Sequence, residues 1–262
     1  MSVAILSIID RRGDRMPGAP SIIDKMPLSL RLRGFGEPVN DDDGVRLYLL
    51  RHGEVRSHRG DVPITTAAVE QASAVGAELA QEVKAPVTVM SGETRRTMET
   101  ADHITKGLRH AEYMIHGPTV AHALRNPDLY LAGRRVDMVS SPEALAAQVP
   151  GLNADEVTDL DFFPQFIEEG DRIRWWLQHP HPPGEDTATV AARIRAFARS
   201  FVNPHRSDLA VVVAVTHSPL LRAVGLDGLG HDIGEPEWLS GLTLEIDRSG
   251  SIVTSLFPGC RT

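Results

Sequence analysis

Residues 209–216 have the sequence LAVVVAVT, an apolar run that is followed at once by His217 and Ser218. A run without a polar face is typical of a strand buried on both sides inside a parallel sheet. Residues 45–50 (VRLYLL) and 86–90 (PVTVM) are shorter runs of similar character. The three segments predict buried strands, with 209–216 at the centre of the sheet.

Helical patterns alternate with these strands. Apolar or small residues recur at steps of three and four, which places them on one face of a helix. The three sets are Ala68, Ala72, Val75, Leu79 and Val83; Thr97, Ala101, Ile104 and Leu108; and Val190, Ile194, Phe197 and Phe201. Residues 242–247 and 251–257 flank a turn at 248–250 and predict an edge hairpin. The alternation predicts an α/β fold, a three-layer α/β/α sandwich around a mostly parallel sheet.

The domain organisation follows from changes in composition. Residues 1–44 contain scattered Gly and Pro and end in the charged turn-forming run NDDDG, which predicts a flexible N-terminal tail. Residues 45–262 are predicted to form one domain. Within it, residues 110–183 contain clustered aromatic side chains and the Pro-rich string HPHPPG, and we expect an insertion or cap of helices and loops over one end of the sheet.

Composition limits the function classes. The 262 residues carry a formal net charge of -8, which argues against a general affinity for nucleic acid or anionic membranes. The single cysteine, Cys260, lacks the arginine five residues later that thiol-based phosphatases need. Residues 3–9 are apolar but too short to span a bilayer. We therefore expect a cytoplasmic protein without nucleic-acid or membrane partners, and the sequence does not predict its oligomeric state.

Charged residues gather where the predicted strands end. Arg51 and His52 follow the first strand, Ser91 follows the second and leads to Arg96, and His217 follows the third. In open α/β sheets, ligands bind at the carboxyl ends of the strands. Guanidinium groups match phosphate oxygens, and an imidazole can act as nucleophile, acid or charge stabiliser. The pattern predicts a site for a phosphoryl group.

Several strings along the chain resemble one known family. They are residues 49–54 (LLRHGE), 63–79 (PITTAAVEQASAVGAEL), 91–101 (SGETRRTMETA), 183–194 (PGEDTATVAARI) and 212–224 (VVAVTHSPLLRAV). In this order they resemble the histidine phosphatase superfamily, also called phosphoglycerate mutase-like, and the resemblance covers about residues 45–257. A set of ordered motifs is far more specific than RHG alone.

The resemblance implies roles for individual residues. His52 would be the nucleophile that forms a phosphohistidine intermediate, and His217 would complete the pocket. Arg51 and Arg96 would bind the phosphoryl oxygens, with Arg96 favoured over its neighbour Arg95 by spacing. Such chemistry needs no metal or other cofactor, and His179-Pro180-His181 is better explained as a loop than as a metal site because a third ligand is missing.

Departures from the family pattern bear on the reaction. Asn126 stands where members usually carry the glutamate that acts as general acid, so Asp128 is the candidate acid. Ser218 replaces a common glycine and is predicted to bind phosphate, and Arg59, or Arg56, is a candidate for a further phosphate-binding arginine. The expected function is hydrolysis of a small phosphomonoester. The alternatives are a phosphomutase, or a non-catalytic homologue that binds a phosphorylated ligand.

Overall fold

The computed structural model of the protein describes residues 44–57, 60–109, 112–203, 205 and 209–259. The predicted tail, apart from Gly44, lies outside the described residues. The strands are β1 Gly44–Arg51, β2 Val87–Ser91, β3 Ile115–Val120, β4 Leu129–Leu131, β5 Arg134–Val136, β6 Leu209–Thr216, β7 Gly241–Ile246 and β8 Ile252–Phe257. The helices are α1 Thr66–Glu82, α2 Arg95–Leu108, α3 Pro142–Ala146, α4 Ala154–Val157, α5 Phe163–Glu168, α6 Arg172–Gln178, α7 Thr187–Arg199 and α8 Ser218–Leu229, with a 3₁₀ helix at His122–Leu124.

The main sheet has the strand order β3-β2-β6-β1-β7-β8. β6 lies inside the sheet and pairs in parallel with both β1 and β2. β7 runs antiparallel to β1 and pairs with β8 as a hairpin, which confirms the predicted edge hairpin. The mostly parallel sheet and its alternating helices confirm the α/β sandwich.

β3 differs from the sequence-based expectation. It lies inside the 110–183 interval, for which helices and loops were expected, but it pairs in parallel with β2 as an edge strand of the main sheet. Its sequence, IHGPTV, has no fully buried residue and therefore lacks the apolar run that marks an interior strand. The remainder of the interval forms the β4–β5 hairpin and short helices.

The apolar run of β6 serves two cores. Val211, Val213 and Val215 pack with α1 and α2 on one face of the sheet. Val212 and Ala214 pack on the other face with residues of α7, α8 and the aromatic segment 162–177. Successive side chains point to opposite faces of a strand, so a central strand covered on both faces needs apolar residues at every position.

Two glycines bring α1 and α2 into close contact. A Cβ atom on Gly76 would lie 2.1 Å from the carbonyl oxygen of Ile104, and one on Gly107 would lie 2.1 Å from that of Ser73. Any larger residue would push the helices apart. The contact fixes α2, whose first turn carries Arg96.

Among the described residues, no helix has both the length and the apolar character needed to cross a bilayer.

Candidate active site

Two histidines meet where β1 and β6 end. The register pairs Arg51 with Thr216, so the next residue on each strand, His52 and His217, leaves the sheet at the same level. The backbone N–H of His52 donates to the carbonyl of Thr216 at 3.0 Å. The ring centroids are 5.4 Å apart, and the residues are only 3% and 2% exposed. The structure thus brings together the two predicted imidazoles.

The hydrogen bond of His52 favours one tautomer. Nδ1 lies 2.8 Å from the carbonyl oxygen of Gly53, and a carbonyl only accepts. A neutral ring that donates from Nδ1 keeps a lone pair on Nε2. This is the protonation state that a nucleophilic imidazole requires.

Gly53 and Thr100 connect the first histidine motif to α2. The N–H of Gly53 donates to Oγ1 of Thr100 at 2.9 Å, and that hydroxyl donates to the carbonyl of Arg96 at 2.6 Å. A Cβ on Gly53 would lie 3.0 Å from the Cβ of Ala68. The glycine therefore allows the loop after β1 to approach both helices.

Arg51 is buried, and most of its guanidinium contacts are to residues of the loop 230–240. Its Nη2 lies 2.6 Å from Oε1 of Glu235, Nη1 donates to the carbonyl of Pro236, and Cζ lies 3.5 Å from the centroid of the Trp238 ring. Its Nε has no hydrogen-bond partner among the described residues. Burial lowers the pKa of Arg51, while Glu235 and Glu237 oppose that shift.

Arg96, and not Arg95, turns toward the histidines. Nη2 of Arg96 lies 3.5 Å from Nδ1 of His217, and its buried Nε also has no partner in the described part of the chain. Burial lowers the pKa of Arg96, and Asp137 and Asp61 oppose the shift. Arg95 instead points outward, 52% exposed, and pairs with Glu99 at 2.7 Å. Of the two adjacent arginines, the structure thus brings Arg96, the one favoured by spacing, to the histidines.

Together these side chains form a cationic pocket. Two guanidinium Nε–H groups are buried without a partner among the described residues, beside two imidazoles at the strand ends. A buried donor without an acceptor is costly, so the arrangement is suited to an anionic ligand with several oxygens.

A family model for the histidine phosphatase superfamily (branch 1) matches residues 47–116 and 159–247. The chain belongs to this superfamily. The matched part includes both histidine motifs and both arginines. A search of curated proteins found no match.

Several solved structures have a fold similar to that of this chain. YhfR of Bacillus stearothermophilus is 21% identical, with a TM-score of 0.54 over 83% of this chain and 98% of that one. A mycobacterial glucosyl-3-phosphoglycerate phosphatase is 22% identical, with a TM-score of 0.50 over 80% and 96% of the two chains. A candidate alpha-ribazole-5'-P phosphatase from Escherichia coli K-12 is 15% identical, with a TM-score of 0.50 over 84% and 100%. At these identities the likeness shows the phosphoglycerate mutase-like fold alone.

Within this superfamily member, Asp128 lies in an ion-pair network. Arg125 donates to both of its carboxylate oxygens, and Nε of Arg135 donates to Oδ1 at 2.6 Å. Burial raises the pKa of Asp128, but hydrogen bonds from Arg125 and Arg135 outweigh it and hold the pKa below its usual value. A general acid must carry a proton near neutral pH. The surroundings of Asp128 therefore oppose the acid role inferred from the sequence and suit a structural brace.

The loop 122–128 is fixed over the end of β6. The hydroxyl of Thr216 donates to the carbonyl of Leu124 at 2.7 Å. Glu185, in the string at residues 183–194, accepts from the N–H of Asp128 at 2.9 Å and pairs with Arg193 of α7 at 2.8 Å, so it connects this loop to α7. Gly184 lies against the same loop, since a Cβ there would be 2.1 Å from the carbonyl of Asp128.

The remaining predicted phosphate ligands are Ser218 and Arg59, with Arg56 as the alternative to Arg59. Ser218 follows His217 and is buried, but its hydroxyl donates to Oε2 of Glu235 at 2.6 Å. Arg59 lies outside the described residues, and Arg56 is exposed. Asn126 has its side-chain oxygen buried without a partner among the described residues.

Glu235 and Trp238 lie at the pocket but were not predicted from the sequence. Trp238 covers Arg51 and lies with its ring centroid 5.3 Å from that of His52. Both residues lie in a loop about 185 positions after Arg51, and no periodicity marks them. A tryptophan within the polar string GEPEW was the one signal available. In the described part of the chain, no three His, Cys, Asp or Glu side chains converge in a way that could hold a metal ion.

Proposed function

We propose that the protein is a phosphatase that hydrolyses a small phosphomonoester through a phosphohistidine on His52. The observation that carries this proposal is the pair of buried Nε–H donors on Arg51 and Arg96 beside two imidazoles 5.4 Å apart. A phosphoryl group supplies acceptors for the donors and an electrophile for an imidazole.

In the first step, Nε2 of His52 attacks phosphorus. An N–P bond forms while the bond from phosphorus to the ester oxygen breaks, and the leaving oxyanion takes a proton from water to become the free alcohol. Arg51 and Arg96 stabilise the charge on the equatorial oxygens, which is the main catalytic demand of phosphoryl transfer. A neutral His217 that accepts from Arg96 at Nδ1 carries its proton on Nε2 and so can donate to the same oxygens.

In the second step, water attacks the phosphohistidine. The N–P bond breaks, inorganic phosphate leaves, and His52 returns to its neutral form. Asn126 cannot supply a proton to the leaving oxygen, and Asp128 is held as a carboxylate. The site is therefore best suited to esters with acidic alcohols, which leave without strong acid assistance.

A second candidate function is binding of a phosphorylated ligand without turnover. The asparagine at position 126 and the ion pairs of Asp128 favour it, because both remove a proton donor. Binding and hydrolysis use the same cationic pocket, so only a measured rate separates them.

The test is release of 4-nitrophenol from 4-nitrophenyl phosphate, whose leaving group needs no acid. We expect turnover by the wild type and a loss of about a thousandfold or more in His52→Ala, because the nucleophile is gone. His116→Ala is the matched control, since His116 is exposed on β3, at the opposite end of the sheet. Phosphate binding without release of nitrophenol would support the binding function, and equal rates in wild type and His52→Ala would refute the phosphohistidine.

A further inference from the structure

An internal carboxylate already contacts the pocket. Oε1 of Glu235 lies 2.6 Å from Nη2 of Arg51, and Oε2 accepts from the hydroxyl of Ser218 at 2.6 Å. The side chain is nevertheless 53% exposed. Glu235 thus touches the residues that precede His52 and follow His217, while its other side faces solvent.

The loop that carries Glu235 is anchored from below. Arg222 of α8 is 1% exposed and pairs with Asp171 at 2.8 Å and with Asp232 at 2.6 Å. Asp232 also accepts from the N–H of Gly234 at 3.1 Å, and Arg222 lies 4.0 Å from Glu235. The carboxylate of Glu235 is therefore held at the pocket and is not a loose surface group.

Arg51 can hold a second anion beside Glu235. The residue is 7% exposed, and its Nε has no partner among the described residues. A bound phosphate that takes this donor would share one guanidinium group with Glu235. The substrate phosphate would then lie next to the negative charge of Glu235. The part of the substrate attached to that phosphate would lie near the same charge.

Other carboxylates also interact electrostatically with the two arginines. Glu237 raises the pKa of Arg51, and Asp61 and Asp137 raise the pKa of Arg96, against the lowering that burial causes. The cations Arg95 and Arg135 are paired with carboxylates of their own. The two arginines of the cationic pocket therefore lie in the field of several carboxylates besides Glu235.

We propose that Glu235 determines substrate charge: the site accepts phosphomonoesters whose leaving group is neutral or cationic and disfavours those whose leaving group carries a carboxylate. The inference rests on the proposed function of the pocket. Its physical basis is repulsion between Glu235 and a second carboxylate held near it by the bound phosphate, together with attraction of an ammonium group.

The expected size follows from Coulomb's law. Two charges about 7 Å apart change affinity by about threefold at the dielectric constant of water, and by about tenfold at an effective dielectric constant of about 35. Salt reduces the effect, so the measurement belongs at low ionic strength.

The test uses three phosphonates of matched length that cannot be hydrolysed: propylphosphonate, 2-aminoethylphosphonate and 3-phosphonopropionate. Their dissociation constants would be measured by calorimetry for the wild type, Glu235→Gln and Glu82→Gln. Glu82 is exposed at the end of α1, away from the strand ends that form the site. Glu82→Gln therefore removes one negative charge without changing the pocket. The ratio of two dissociation constants is compared between proteins. Differences in the acidity of the ligands affect every protein equally and so cancel in this comparison.

We expect the wild type to bind 3-phosphonopropionate at least about threefold more weakly than propylphosphonate, and 2-aminoethylphosphonate at least as tightly. Glu235→Gln should lower the first ratio at least about threefold, while Glu82→Gln leaves it unchanged. An equal ratio in wild type and Glu235→Gln would overturn the proposal. Hydrolysis of 4-nitrophenyl phosphate and its loss in His52→Ala report separately on the proposed function.

Discussion

Asp128→Asn separates a brace from a general acid. In the structure the side chain of Asp128 is 11% exposed and accepts hydrogen bonds from Arg125 and Arg135. The amide of Asn keeps one acceptor but turns an NH₂ group toward a guanidinium, so part of the network is lost. Removing one partner of a fully buried ion pair costs about 3–5 kcal/mol, whereas exposed pairs contribute less than about 1 kcal/mol. With arginines that are 24% and 36% exposed, an intermediate cost is expected.

We therefore expect the free energy of unfolding to fall by about 2 kcal/mol, which for a domain of this size lowers Tm by about 4–8 °C. The pKa of Asp128 is lower in the folded state than its ordinary value of 3.8. The stabilisation is complete above the ordinary pKa and is lost as the pH falls through the lowered one. The difference in stability between wild type and variant should thus shrink in strong acid. Asp159→Asn, at an exposed position, is the control.

The kinetic assay compares an aryl phosphate with an alkyl phosphate. A brace predicts similar, modest losses of kcat on both substrates, because the loop 122–128 is loosened equally. Removal of a general acid would instead cost about 10²- to 10⁴-fold on the alkyl ester and little on the aryl ester. A selective loss on the alkyl ester with an unchanged Tm would refute the brace.

Two further substitutions test the pocket and its support. Arg96→Lys should lower kcat/KM for 4-nitrophenyl phosphate by about 10- to 100-fold, because an ammonium group cannot replace the planar set of guanidinium donors. Arg95→Lys is the control and should have little effect. Equal losses in the two variants would contradict the placement of Arg96 at the pocket. Gly184→Ala should destabilise the fold by roughly 2–6 kcal/mol, since φ is +146° and the new Cβ would lie 2.1 Å from a carbonyl oxygen. Gly170→Ala, where nothing lies within 4 Å, is its control in chemical denaturation, and matched unfolding midpoints would count against the strain.

Much of the site could be predicted because its elements are local. β1 and β6 are marked by apolar runs, and His52 and His217 follow them directly, so the rule that ligands bind at strand ends places both imidazoles together. Arg96 lies in the first turn of a strongly amphipathic helix that follows β2. In each case one short segment fixes both the element and the residue's position.

The remaining features depend on contacts between distant segments. Glu235 and Trp238 reach Arg51 from a loop near the end of the chain, and their own sequence shows no period or motif. The ionised state of Asp128 depends on Arg135 of the β4–β5 hairpin, whose pairing the sequence did not predict. The sequence therefore suggested a carboxyl group as an acid where its three-dimensional surroundings favour an ion pair.

In the proposed reaction, His52 carries the phosphoryl group during turnover. Wild-type enzyme mixed with 4-nitrophenyl phosphate would be quenched in alkali after one turnover, digested and mapped by mass spectrometry. We expect an acid-labile phosphate on His52 in the wild type and none in His52→Ala. A phosphate found on another residue, or nitrophenol released in a burst without any phosphorylated histidine, would contradict it.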